Sequence, residues 1–197
     1  GKRYARRALA DGAAPAGRIV TLKGFGEQVP CGRQHGAEFR SSLQKFLASD
    51  PSDAAALKVA QDYVREVVAH EIGHTLGLRH NFAGSLASNT TLAEKEKAFE
   101  GYLKRDEAPA GVVTTSSVME YSNFYDGVIT GYNLKHAPKA LAYDEKALRY
   151  LYFAEKAEDL PLFCTDSHAD GAFRDCVRGD QGANVIDSLT HENWMAT

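Results

Sequence analysis

Five residues in one short stretch can do chemistry together: His70, Glu71, His74, Gly77 and His80, in the pattern H-E-x-x-H-x-x-G-x-x-H. On a helix His70 and His74 sit one turn apart and only about 40° apart around the axis, so both imidazoles can reach one metal ion. Glu71 stands beside them with no need to ligate, which leaves its carboxylate for proton transfer. Gly77 falls where the helix must stop, and a glycine there takes the positive φ of a sharp turn. That turn can return His80 to the metal as a third ligand. Three imidazoles on a tetrahedral Zn2+ leave one position for water, the arrangement of a catalytic rather than a structural site. The short H-E-x-x-H alone also fits an ordinary amphipathic helix with satisfied histidines; Gly77 and His80 at their offsets argue for the metal.

The elements that position these residues are read from periodicity and caps. Phe39, Leu43, Phe46 and Leu47 follow helical spacing and predict a helix over about residues 37–48. Asp50, Pro51 and Asp53 predict the start of the next helix, whose apolar face of Leu57, Ala60, Tyr63, Val64, Val67, Val68 and Ile72 runs into the metal motif. Thr91 with Glu94 forms a capping box for a helix over 92–104, and its Lys and Glu residues predict a solvated face. Residues 18–22 (Arg-Ile-Val-Thr-Leu) are the one convincing strand, either an interior strand or the edge that receives substrate. The basic and Ala/Gly-rich start reads as an arm and loop.

Downstream, Ser117, Met119 and Tyr121 form S-x-M-x-Y. With the long histidine motif this segment resembles the Met-turn of the metzincin zinc endopeptidases, in which a methionine makes an apolar floor under the histidines. Tyr143-Asp144 through Leu151-Tyr152 resembles the C-terminal helix that closes many such domains. The resemblance covers about residues 55–155 and is closest in flavour to secreted bacterial zinc-dependent metalloproteases.

That resemblance implies an α+β fold: a metzincin-like zincin catalytic domain with a long active-site helix, a small β-sheet, a Met-turn and a C-terminal helix. It places one domain over 1–197, with an upper part over 1–80 and a lower part over 81–197. It implies endoproteolysis of protein or peptide substrates by a zinc-bound water, with one Zn2+ on His70, His74 and His80 and Glu71 as general base. Tyr121 then either stabilises the oxyanion or is a buried core tyrosine. The aromatic residues of 122–132 read as a loop walling the specificity pocket. Metzincins place about five strands ahead of the active-site helix, whereas 69 residues precede His70 here with one convincing strand. The sheet is therefore expected to be reduced, or completed by an upstream segment or a partner chain. A catalytically limited zinc-binding or toxin-assembly module is the alternative function.

Composition excludes other classes. A net charge of -3 over 197 residues offers no case for nucleic acid or an anionic membrane. No apolar run of about eighteen residues is present to span a bilayer. Secretion or periplasmic export follows from the resemblance, and in an exported chain Cys164 and Cys176 pair as a disulfide, leaving Cys31 over. Cys31 in Pro-Cys-Gly reads as a structural or unpaired thiol. Asp166, His168, Asp170 and Gly171 resemble the start of a Ca2+ loop, with Val177 where its last carboxylate belongs.

Overall fold

The computed structural model describes residues 37–105, 111–137, 139–156, 161–169 and 176–178, all within the compact unit His35–Thr197. The strand expected at 18–22, Cys31 in its Pro-Cys-Gly, Asp170 and Gly171 lie outside the described residues. In chain order the helices are α1 (Ala37–Ala48), α2 (Asp53–Thr75), a 3-10 turn (Ser85–Ala87), α3 (Leu92–Arg105), α4 (Phe124–His136), α5 (Ala142–Phe153) and the short α6 (Asp166–Ala169). No strand occurs among the described residues, which corrects the expected α+β fold with a β-sheet. The reason lies in the contacts: the apolar residues around the motif pack helix on helix.

Helix α1 forms as expected, with Phe39 and Phe46 buried and Leu43 and Leu47 packed against them. The cap of α2 is Ser52, whose hydroxyl accepts from Ala55 N at 3.2 Å, rather than Asp50. Asp50 instead takes a φ of 49° in the link between the helices.

The buried face of α2 is not the expected one. Leu57, Val64, Val68 and Ile72 are at least half exposed, while Val59, Asp62, Glu66, His70 and Gly73 face inward. Burying carboxylates is tolerable only with partners, and Asp62 has them. Tyr102 donates its hydroxyl to Asp62 at 2.7 Å, and Arg65 pairs with the same carboxylate while reaching Gly131 O at 3.2 Å. What allows α2 to come so close to α4 is glycine at four-residue spacing. A Cβ on Gly131 would stand 1.8 Å from Asp62 O, and one on Gly127 would stand 3.1 Å from the Tyr63 ring.

Helix α4 replaces the aromatic loop expected after the Met-turn. Asn123 caps it by accepting from Asp126 N, and Phe124, Val128, Ile129 and Tyr132 enter the aromatic core with Phe99 and Tyr102 of α3. The Thr91/Glu94 capping box starts α3 as anticipated. Its charge run is only partly solvated, since Lys95 is buried in an ion pair with Asp126 of α4. A second, smaller core joins Leu78, Val118 and Met119 to Tyr143 and Ala147 of α5. No helix among the described residues is long and apolar enough to cross a membrane.

Because Gly131 meets backbone rather than a movable side chain, Gly131→Ala is expected to lose about 1–3 kcal/mol of unfolding free energy in urea titrations. Val68→Ser, on the exposed row, is expected to change it by less than about 0.5 kcal/mol. Equal effects from the two would contradict the assignment of faces.

Candidate metal centre

The last turns of α2 carry His70 and His74, and the helix ends as the glycine pattern predicts. Gly77 has φ +87°. Gly77 N donates to His74 O and Leu78 N to Gly73 O, both at 3.0 Å, the paired bonds of a Schellman C-cap. The chain reverses there, and His80 comes back beside the helix, its ring 4.7 Å from that of His74 and 5.3 Å from that of His70. Candidate ligand atoms of the three histidines all lie within 4.8 Å of one another.

Each ring is oriented by an oxygen at Nδ1. His70 Nδ1 is 2.7 Å from Val118 O, His74 Nδ1 is 3.0 Å from Leu78 O, and His80 Nδ1 is 2.9 Å from Asp166 Oδ2. Carbonyl and carboxylate oxygens only accept, so the proton of each neutral ring sits on Nδ1 and the lone pair on Nε2. His74 and His80 then face each other through Nε2 atoms 3.1 Å apart. Two lone pairs at that distance repel unless a cation lies between them. Two nitrogens on one tetrahedral zinc, at bonds of about 2.0–2.1 Å, stand roughly 3.3 Å apart. The donor set therefore fits Zn2+. Burial pushes the His80 imidazole below its ordinary value against the opposing pull of Asp166, which favours the neutral, ligating form.

The S-x-M-x-Y segment is held under α2. Met119 is fully buried, and its sulfur occupies the space a Cβ on Gly73 would need, at 2.3 Å. The residue between the two helical ligands, Gly73, is thus small because methionine packs there. Ser117 donates its hydroxyl to Asp144 Oδ1 at 2.6 Å, Val118 N donates to Asp144 Oδ2 at 2.8 Å, and Asn81 N donates to Met119 O at 3.0 Å. One strap therefore runs from Asp144 on α5 through the backbone of Val118 to the carbonyl that orients His70. Sequence reading placed Asp144 at the start of the C-terminal helix without giving it this task.

Over residues 52–161, more than half of the chain, the sequence matches the family described as Met-zincin. The chain belongs to the Met-zincin family. No curated protein and no solved structure matches it. Family and three-histidine site together imply zinc binding and a domain of the zinc metallopeptidase type.

The remaining expected residues of this Met-zincin are placed as follows. Glu71 follows His70 on α2 and is exposed. Tyr121 is half-buried, with its ring 4.7 Å from His80, 6.0 Å from His70 and 5.2 Å from Phe82. Cys164 and Cys176 form a disulfide. Asp166 pairs with His80 and Arg178. His136 packs on Tyr132, and His168 Nδ1 accepts from Thr165 N at 3.3 Å, so neither joins the cluster. Phe124, Tyr125 and Tyr132 belong to the core of α4 rather than to a wall of the site.

Burial, opposed by the bonds from Ser117 and Val118, pushes the Asp144 carboxyl from 3.8 up to about 6. A carboxyl raised in the folded state contributes stability that is fully present below about pH 4 and lost as pH climbs through about 6. The advantage of the parent over Asp144→Asn in urea unfolding should therefore shrink between about pH 4 and pH 7. An advantage that grew over that range would contradict a buried, raised carboxyl.

Proposed function

We propose that this chain is a zinc-dependent endopeptidase that hydrolyses peptide bonds in protein substrates, with one catalytic Zn2+ held by His70, His74 and His80. What carries the reading is the gathering of three imidazoles, oriented by Val118 O, Leu78 O and Asp166, with an exposed glutamate, Glu71, next to His70 in the chain. A donor set of three nitrogens leaves room for a non-protein ligand, unlike a closed structural site.

Bound there, Zn2+ supplies a Lewis acid and lowers the pKa of a water. Glu71 takes the proton of the attacking water and returns it to the leaving amine. The Tyr121 hydroxyl, on a ring already packed against His80, donates to the oxygen that gains charge as the carbonyl is attacked. The disulfide supports a secreted or periplasmic site of action.

Glu71→Gln is expected to hold zinc like the parent yet cleave unfolded casein about 10²–10⁴-fold more slowly. Cleavage at the parent rate would remove Glu71 as base. If neither protein cut while both held zinc, a binding or assembly module would be the better reading. For Tyr121→Phe, steady-state kinetics on a casein-derived peptide should show kcat lowered about 10²–10³-fold with KM little changed. Full turnover in that variant would leave Tyr121 a packing residue.

A further inference from the structure

The three ligands are not anchored alike. His70 and His74 take their acceptors from backbone carbonyls, of Val118 and Leu78, that the Met-turn and the helix cap already hold. His80 lies past the helix end, and its acceptor is a side chain 86 residues further on, Asp166 Oδ2.

What brings it is the segment after α5. Asn81, fully buried and adjacent to His80, grips this segment from both sides of its amide. Its Nδ2 donates to Leu162 O and its Oδ1 accepts from Cys164 N, each at 3.2 Å. Phe82 N donates to Cys164 O at 2.8 Å. Two residues on, Asp166 begins a helix of only one turn, too short to hold its own place. The disulfide from Cys164 to the buried Cys176 closes the segment just beside it. On the far side of that link, Arg178 reaches Asp166 Oδ1 at 3.4 Å and lies 5.5 Å above the Phe82 ring, which is itself stacked on His80. The carboxylate is thus used on both oxygens, one for His80 and one for Arg178.

We infer that Asp166 is a positioning residue for the third zinc ligand, and that the Cys164–Cys176 disulfide is a working part of the metal site because it holds Asp166 against His80. Rotation of the His80 ring is the freedom being removed. A carboxylate on Nδ1 fixes the ring's tautomer and strengthens Nε2 as a donor, and loss of such a partner weakens metal binding about 10–100-fold. The inference rests on the zinc reading given above, and it adds a residue that lies outside the histidine motif.

The test uses the full chain and reads metal binding rather than turnover. Zinc affinity is measured by competition with a chromophoric chelator, and the visible spectrum of the Co2+ form reports ligand geometry. Asp166→Ala is expected to bind zinc about 10–100-fold more weakly and to shift the Co2+ bands, with helical circular dichroism unchanged. Asp166→Asn, which keeps an acceptor but not the charge, is expected to recover part of the affinity. The Cys164→Ser/Cys176→Ser pair should weaken zinc in the same direction as Asp166→Ala. A folded Asp166→Ala with affinity within about twofold of the parent and the parent's Co2+ spectrum would overturn the positioning role. An unchanged affinity in the cysteine pair would overturn the part given to the disulfide. A parent that bound no zinc would overturn the zinc reading itself, a result distinct from both.

Discussion

Three hydrogen bonds carry the arrangement: each imidazole gives its Nδ1 proton to an oxygen, so each Nε2 is left as a donor to a metal. Nε2 lone pairs held this close repel one another, and a cation placed among them would relieve that repulsion. The three oxygens come from three places, and most of the surrounding structure serves to hold them. Leu78 O depends on the Schellman cap that Gly77 permits. Val118 O depends on the Met-turn, which Asp144 pins from α5 and Met119 seats against Gly73. The Asp166 carboxylate depends on Asn81 and the disulfide.

Beneath the site, α2 is organised by its polar residues as much as by its apolar ones. Asp62, Glu66 and His70 recur at four-residue spacing along the buried face and lead straight to the metal end. Gly127 and Gly131 let α4 approach that face closely enough for Asp62 and the Arg65 contact to be satisfied inside the bundle. A helix buried on its polar side and exposed on a row of Leu57, Val64, Val68 and Ile72 inverts the usual pattern. The consequence is positional: turning α2 by half a turn to bury that row would carry His70 away from Val118.

The metal motif was legible because its chemistry is local: two histidines a turn apart, a glycine with the required φ, and a third histidine all fall within one helix end. The helix over 37–48 and the Thr91/Glu94 box were legible for the same reason. The buried face of α2 was not, since a count of apolar residues selects the Val64 and Val68 row, and besides Arg65 it is Tyr102 and Gly131, far along the chain, that explain why Asp62 can go inside. Helix α4 falls where the sequence reading expects an aromatic loop, although Asn123 can cap Asp126 N and Phe124, Val128 and Tyr132 keep helical spacing. The expected sheet fails among the described residues because apolar surface meets other helices. Nothing in the sequence marks Asp166 as a partner for His80, since a pairing with so distant a segment follows no periodicity.

The most direct measurement is X-ray absorption at the zinc edge of the purified, zinc-loaded chain. One zinc per chain with three imidazole nitrogens at about 2.0–2.1 Å, a further nitrogen or oxygen neighbour and no sulfur is the predicted result. A sulfur neighbour, or fewer than three imidazoles, would contradict the site built on His70, His74 and His80.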